Sequence, residues 1–233
     1  MVVFDGVLTS DVTAPLEVFG AAARKAWLTE FEVTTVSADA DVDIVTEEGL
    51  RMRADVVLSQ AGDFDVLIVP SSYSMTPLVR NRALIEFVRR NAQNATWIVS
   101  NCSGARILAE AGLLDGRRAT TWAGGEAAFQ HDYPRVQVQR DQNYVIDGRF
   151  LTSNGGLVSY QGALALLSRI AGPEMAAEVA SDLQAQRMTG TPLPVCADPV
   201  SDALIGVGGV LAGLLLGLLG GAYLRQKKAA ERA

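Results

Sequence analysis

The hydrophobic pattern of the first 187 residues predicts strands and helices that alternate along the chain. Longer stretches with apolar residues at helical spacing predict one helix that begins at Pro15 and another that runs from Asn81 to Asn94. Short runs of bulky and β-branched residues, typical of buried strands, lie at 1–4, 31–37, 66–69 and 96–99. Because the connections are short, the sequence predicts an α/β domain in which a mostly parallel sheet is sandwiched between helices, as in flavodoxin-like three-layer folds.

Turn signals complete this domain and mark its end. The pair Glu48-Gly49 divides residues 41–53 and predicts a small hairpin, whereas a long apolar helix is expected at 157–171. A last helix is expected to begin at Pro173 and to end near residue 187. The following stretch, 188–203, is rich in proline and has no periodicity. We therefore interpret 1–187 as the folded domain and 188–203 as a linker.

Residues 204–224 form the most apolar stretch of the chain. These 21 residues carry no charge, and a helix of that length spans about 30 Å, the thickness of a hydrocarbon core. The alternative is a buried core helix, but seven glycines would destabilise a helix in water. The sequence predicts a single transmembrane helix at 204–224 followed by a basic tail at 225–233. Glycines at every fourth position from Gly209 to Gly221 also favour pairing of two such helices.

The side of the membrane on which the domain lies stays open. Basic residues follow residue 224, and the positive-inside rule therefore places the tail in the cytoplasm and the domain outside. No signal peptide precedes the first predicted strand, however, and export would need one. A chain that begins at residue 1 is therefore expected to be a tail-anchored membrane protein whose domain faces the cytoplasm.

Charge and cysteine content exclude some classes of function. The net charge is −6, and the basic residues of the tail make the rest of the chain more acidic still. Such a domain is a poor match for phosphate backbones, so we expect no nucleic-acid partner. Two cysteines provide no disulfide framework. We expect no metal and no cofactor.

The stretch 96–112 holds the strongest candidate for chemistry. An apolar strand turns within a few residues into a helix-forming run that ends at Gly112, and Cys102 lies at the turn. A turn this tight presents the side chain clear of both elements, and a helix N-terminus favours a thiolate. We therefore predict a reactive thiol that ionises below the pKa of a free cysteine. The alternative is a small buried apolar side chain.

Four motifs together resemble the DJ-1/PfpI superfamily, whose fold is that of class I glutamine amidotransferases. The resemblance is closest to isocyanide-hydratase-like proteins and to the sensor domains of AraC-type regulators, and it covers residues 1 to about 187. It implies either an enzyme acting on a small electrophilic molecule or a catalytically silent sensor, in each case with a homodimer expected. The motifs are the strand–Cys–helix turn, DGVLTSDVTAPLEVF at 5–19, GLLDGRRATT at 112–121 and DGRFLTSNGG at 147–156.

The resemblance assigns roles to three residues. Cys102 matches the reactive cysteine of the family, and Asp11 matches the acidic residue that hydrogen-bonds to its sulfur. One of this pair must hold a proton for the bond to form. Ser103 matches the residue that orients a water or the substrate, with its backbone N–H in an oxyanion hole. For Asp11 the alternative is a cap on the helix expected at Pro15.

Further positions depart from the family pattern or are less specific. Glu17 matches a second acidic position, although a glutamate there also favours the helix dipole. Ser71 and Ser72 replace glycines that line the substrate, and Trp122 replaces a histidine that would act as a base. The one histidine of the chain, His131, is expected on the surface. A Cys-His dyad is therefore not expected, and the predicted substrate site comprises Glu17, Ser71, Ser72 and Trp122 around the reactive cysteine.

Overall fold

The computed structural model describes residues 1–25 and 32–185, in which strands and helices alternate. The strands are β1 (Val2–Val3), β2 (Val36–Ser37), β3 (Asp43–Val45), β4 (Arg51–Arg53), β5 (Val56–Val57), β6 (Val66–Val69), β7 (Trp97–Asn101), β8 (Arg118–Ala119), β9 (Gln137–Val138), β10 (Tyr144–Asp147) and β11 (Phe150–Ser153). The helices are α1 (Thr9–Lys25), α2 (Met75–Arg80), α3 (Arg82–Asn94), α4 (Ala105–Glu110), α5 (Glu126–Asp132), α6 (Val158–Ala171) and α7 (Pro173–Asp182).

The strands that carry the site belong to a four-stranded sheet in the order β10-β11-β7-β6. In this sheet β6, β7 and β11 are parallel, and β10 is antiparallel to β11. A second sheet, β1-β2-β5, is parallel throughout. The predicted α/β architecture with a mostly parallel sheet is confirmed. Because parallel strands end at one edge, the residues that follow Val69, Asn101 and Ser153 meet there.

Two groups of helices pack on the strands. The helices α1, α6 and α7 contact one another, and α6 lies on β10 and β11. In the other group α4 contacts α2 and α3, and both α3 and α4 lie on β6. The shared core includes Leu67, Leu108 and Leu166, which are nearly inaccessible to solvent. Burying such a side chain contributes about 1.5–3 kcal/mol to folding.

Several local predictions are confirmed, and others need correction. The hairpin at 41–53 is the antiparallel pair β3–β4, and the helix expected at 81–94 is α3, capped by the Asn81 side chain. The strand expected at 31–37 is limited, among its described residues, to β2. The helix expected at 173–187 ends earlier, with α7 at Asp182. The short strand β5 and helix α2 have no counterpart in the prediction.

The start of α1 is the correction that matters most for the site. The helix begins at Thr9, and Pro15 lies inside it rather than at its first residue. Pro15 has no N–H, so the carbonyl oxygen of Asp11 lacks its helical donor. The Asn101 side-chain amide donates to that oxygen at 3.2 Å instead. This hydrogen bond from the end of β7 replaces the one that Pro15 cannot donate, and it connects the first turn of α1 to the site.

Within residues 1–25 and 32–185, no helix is both long enough and apolar enough to cross a membrane. The predicted linker at 188–203, the transmembrane helix at 204–224 and the tail at 225–233 lie outside the described residues. The limits assigned to these segments stay predictions from the sequence.

Candidate active site

The tight turn from strand to helix is present at the end of β7. A single 3-10 turn, Cys102–Gly104, joins β7 to α4. Cys102 has a φ of 52°, in the left-handed region that non-glycine residues rarely adopt. Such a conformation costs about 1–3 kcal/mol and is commonest at functional sites. The strain fixes the direction of the thiol at this edge of the sheet.

Gly104 allows the turn to press against the end of β6. A Cβ atom at this position would lie 2.4 Å from the carbonyl oxygen of Val69 and 2.7 Å from that of Pro70. Contacts so short are forbidden between a carbon and a carbonyl oxygen, so only glycine fits here. The close approach brings Cys102 beside the residues that follow β6.

Cys102 opens onto a cavity of about 450 Å³. This volume is within the range of small-molecule sites in proteins. The thiol itself is half-buried. The described lining combines apolar side chains, among them Leu8, Met75, Val79 and Trp122, with the polar residues Ser72, Thr76, Ser103 and Arg106.

Asp11 is fully buried beside the turn, and four donors hold its carboxylate. Oδ2 accepts from the backbone N–H of Ser71 at 3.2 Å and from its hydroxyl at 2.6 Å. Oδ1 accepts from the backbone N–H of Gly156 at 3.2 Å and from the Ser159 hydroxyl at 2.9 Å. These donors follow β6 and β11 and do not belong to α1. The carboxylate therefore connects three elements and does not cap its own helix.

The thiol and the carboxyl both titrate above their ordinary ranges. Burial raises the pKa of Asp11, and its hydrogen bonds oppose that rise. Burial also raises the pKa of Cys102, and the nearby charge of Asp11 raises it further. The predicted lowering of the thiol pKa is wrong. The helix N-terminus provides little compensation, because α4 begins three residues after Cys102 and is only six residues long.

The serines expected at the site are all close to Cys102, in different roles. Ser103 donates its hydroxyl to the Ser72 carbonyl at 3.3 Å, and its proximity to the sulfur opposes the rise in the pKa of Cys102. Ser72 lines the cavity. Ser71 is inaccessible to solvent and donates its hydroxyl and its backbone N–H to Asp11. Ser71 thus lies behind the cavity, not in its wall.

Trp122 is also at the cavity, and Glu17 is not among its described lining residues. The Trp122 ring lies against Gly125, where a Cβ atom would come within 2.2 Å of the indole Nε1. Glu17 is exposed on α1 and accepts a hydrogen bond from the Tyr160 hydroxyl at 2.7 Å. A substrate role for Glu17 stays a prediction. His131 is on the surface as expected, with its side chain 88% exposed.

Three residues that help to build the site, Asn101, Gly155 and Ser159, were not predicted from the sequence. Gly155, with a φ of +81°, packs so closely that a Cβ atom would lie 2.3 Å from the Cβ of Cys102 and 3.1 Å from Oδ1 of Asp11. The Asn154-Gly155-Gly156 turn after a predicted strand was a signal for such an approach. Asn101 and Ser159 left no comparable signal, because their partners are 90 and 148 residues away in sequence.

The described residues contain no cluster of histidine, cysteine, aspartate and glutamate side chains that could hold a metal ion. The chemistry available in this part of the chain is that of a thiol, a buried carboxyl group and several hydroxyl and backbone donors. This set can form a covalent bond to an electrophilic carbon and move protons around it.

Comparison with known proteins places this geometry in a family. The sequence matches the DJ-1/PfpI family over residues 1–169. It is 33% identical over 144 residues to the HTH-type transcriptional regulator CdhR of Pseudomonas aeruginosa, covering 62% of this chain and 42% of the regulator. It is 29% identical over 184 residues to the isonitrile hydratase of Pseudomonas putida, covering 78% of this chain and 75% of the hydratase.

Solved structures show the same fold. A THiJ/PfpI family protein from Pseudomonas syringae superposes with a TM-score of 0.70 at 20% identity, covering 84% of this chain and 77% of that one. An AraC family transcriptional regulator from Pseudomonas putida superposes with a TM-score of 0.66 at 19% identity, covering 78% and 98% of the two chains. The match to the family model over residues 1–169, which is most of the chain, shows that this protein belongs to the DJ-1/PfpI family.

Proposed function

We propose that this protein is a cysteine-dependent hydratase or lyase that acts on a small molecule with an electrophilic carbon, such as an isocyanide. The observation that carries the proposal is the position of Cys102, held in a strained turn at the edge of a cavity with the Asp11 carboxylate buried behind it. Thiol chemistry needs a nucleophile that reaches the substrate and a base that is shielded from water.

The reaction of an isocyanide illustrates the roles. The S–H bond of Cys102 breaks, a carbon–sulfur bond forms at the terminal carbon, and the proton reaches that carbon by way of Asp11. Water then adds to the resulting carbon–nitrogen double bond. Finally the carbon–sulfur bond breaks, the thiol regains a proton, and an N-substituted formamide leaves. Neither oxidant nor reductant is needed.

The surroundings of the thiol support a small and mostly apolar substrate. The apolar part of the cavity wall includes Leu8, Met75, Val79 and Trp122, which suit an alkyl or aryl group, while Thr76 and Arg106 line another part. The similarity to an isonitrile hydratase over most of the domain supports the same class of substrate. Ser72 and Ser103 provide polar groups near the thiol for an attacking water.

A second function is favoured by a different observation. The similarity to transcriptional regulators, one of them 33% identical in sequence, supports a role as the sensor domain of a regulator. In that case the same cavity would bind a small molecule without turnover. We rank the enzyme first because a silent sensor has no need for a strained cysteine with a buried acid beside it.

Turnover by the full-length chain distinguishes the two functions. A panel of small isocyanides and reactive aldehydes is incubated with the wild type, and products are followed by mass spectrometry. Cys102→Ala should abolish turnover, whereas Cys196→Ala, which removes the other cysteine of the chain, should leave it unchanged. Ligand binding with no turnover of any compound would favour the sensor.

We further propose that residues 204–224 anchor the protein in a membrane as a homodimer. The support is the uncharged sequence of 21 residues, with the glycine spacing from Gly209 to Gly221. The test is a reporter of helix association in membranes, applied to 202–228. The double change Gly213→Leu and Gly217→Leu should preserve insertion and abolish association. Failure of the wild-type segment to insert would reject the anchor.

A further inference from the structure

Arg106 is the one charged residue among the described lining residues of the cavity at Cys102. It is the second residue of α4, so the turn that positions the thiol also positions the guanidinium group. The described lining contains no carboxylate to balance it. The chain as a whole has a net charge of −6. A cation in the cavity wall therefore attracts anions locally, against the repulsion from the rest of the protein.

Among the described residues, the counterion of Arg106 is Asp132, the last residue of α5. Nη2 of Arg106 lies 2.7 Å from Oδ2 of Asp132, and Cζ lies 5.8 Å from the centre of the Tyr133 ring. A guanidinium group carries five N–H donors, so one such bond leaves donors for a ligand. The two side chains of the pair are 23% and 42% exposed. Ion pairs in contact with solvent are weak, so Asp132 holds the guanidinium in place without cancelling its charge.

We propose that Arg106 binds a carboxylate of the substrate, so that preferred substrates carry an electrophilic carbon and a carboxylate on one short skeleton. The planar fork of a guanidinium matches a carboxylate and can donate two parallel hydrogen bonds to it. Apolar residues of the same cavity, such as Leu8 and Val79, would contact the skeleton between the two groups. Arg106 then determines specificity and takes no part in the bond changes. The inference rests on the proposed function for the identity of the electrophile.

A purely structural role for Arg106 makes a different prediction for its partner. If the ion pair only connected α4 to α5, removing either Arg106 or Asp132 would affect Cys102 in the same way. If Arg106 binds an anion, Asp132 competes for the guanidinium group. Removing the charge of Asp132 should then strengthen the binding of the anion, whereas removing that of Arg106 should weaken it. The two substitutions therefore have effects of opposite sign.

Alkylation of Cys102 by iodoacetate and by iodoacetamide measures this recognition without any substrate of the proposed reaction. The reagents are alike in size, and they differ in a carboxylate, ionised near neutral pH, against a neutral amide. In each case a carbon–sulfur bond forms, iodide leaves and the thiol proton passes to water. Because both reagents react with the same thiolate, a change in its pKa cancels in the ratio of the two rates. The full-length Cys196→Ala protein is the parent, which leaves Cys102 as its one cysteine.

The ratio of the iodoacetate rate to the iodoacetamide rate should depend on the charge at Arg106. Arg106→Gln and Arg106→Met should each lower it about tenfold, the loss of one charge-assisted hydrogen bond. Arg106→Lys, which keeps the charge and loses the fork, should retain part of the preference. Asp132→Asn should raise the ratio about two- to fivefold, as expected for an exposed pair. Added salt should lower the ratio more in the parent than in Arg106→Gln.

The matched control is Arg135→Gln. This change removes the same charge and also breaks an arginine–aspartate pair, in which Arg135 lies 2.8 Å from Asp115. Neither residue belongs to the described lining of the cavity. The ratio in Arg135→Gln should equal that of the parent, because its charge acts at a distance and through solvent.

Two results would overturn the inference. One is an unchanged ratio in Arg106→Gln or in Arg106→Met, of which either suffices if the other does not fold. The other is an Asp132→Asn ratio that falls as the Arg106→Gln ratio does, because this is the outcome of a purely structural pair.

Turnover of isocyanoacetate against its methyl ester separates this inference from the proposed function. The parent should prefer the carboxylate, and Arg106→Gln should raise its KM with little change in kcat. If no isocyanide is turned over while the alkylation ratio still depends on Arg106, the proposed reaction is wrong and the carboxylate site stands. If both isocyanides are turned over and the ratio does not depend on Arg106, the reaction stands and the carboxylate site is rejected.

Discussion

Gly155→Ala should disrupt the packing around Cys102 and Asp11. The residue has a φ of +81°, and an alanine there costs about 1–2 kcal/mol in backbone strain. Its Cβ atom would also lie 2.3 Å from the Cβ of Cys102 and 3.1 Å from Oδ1 of Asp11. Overpacking of this kind costs about 1–3 kcal/mol more. The expected loss of unfolding free energy is about 2–5 kcal/mol, the sum of these two terms.

The neighbouring glycine is a matched control that separates strain from steric contact. Gly156 has a φ of +59°, with nothing within 4 Å of an added Cβ atom. Gly156→Ala should therefore cost only the backbone term, about 1–2 kcal/mol. Urea denaturation of both variants of the full-length chain, with alkylation of Cys102 as a second readout, gives the difference. Equal losses of stability in the two variants would refute the packing of Gly155 against the thiol.

Three further changes test contacts that surround the site. Asn101→Asp removes the amide donor to the buried Asp11 carbonyl and places a second carboxyl group at a buried position, so urea denaturation should show a loss greater than the about 1–3 kcal/mol of the unpaired carbonyl alone. Glu48→Ala removes the acceptor of two hydrogen bonds at the start of α1, at a cost of about 0.5–2 kcal/mol. These hydrogen bonds lower the pKa of Glu48, so they stabilise the folded protein near neutral pH and less so as acid protonates the carboxylate. The unfolding free energies of the variant and the wild type should therefore converge in acid. Gly125→Ala should displace the Trp122 ring and reduce kcat/KM, with little change in the unfolding free energy. An unchanged kcat/KM would show that Trp122 does not contact the substrate.

The elements closest to the site were the most predictable. Residues 66–69, VLIV, are all apolar, and Trp97, Ile98 and Val99 form a second apolar run. Hydrophobicity alone therefore locates β6 and most of β7. Because such strands alternate with helices of clear periodicity, the sequence was sufficient to predict the α/β fold class. The thiol at the turn after β7 was recognisable for the same reason, since a strand and a helix leave it almost no loop.

Other parts of the site depend on contacts that periodicity does not encode. The predicted start of α1 was Pro15, because proline is common at the first residue of a helix. The hydrogen bond from Asn101 that compensates for a proline within the helix joins residues 90 positions apart in sequence, so the pattern gave no sign of it. The direction of the Cys102 pKa shift was wrong for a similar reason. The sequence indicates a helix N-terminus, but burial and the charge of Asp11, which outweigh it, arise only from tertiary packing.

The central claim is that Cys102 forms a covalent bond to the substrate carbon during turnover. Its most direct measurement is the mass of the full-length protein quenched in acid during reaction with an isocyanide, followed by peptide mapping. We expect a transient adduct with the mass of one substrate molecule on the peptide that contains Cys102. The adduct should be absent from Cys102→Ser and retained in Cys196→Ala. Steady formamide production with no adduct on Cys102, or undiminished production by Cys102→Ser, would contradict it.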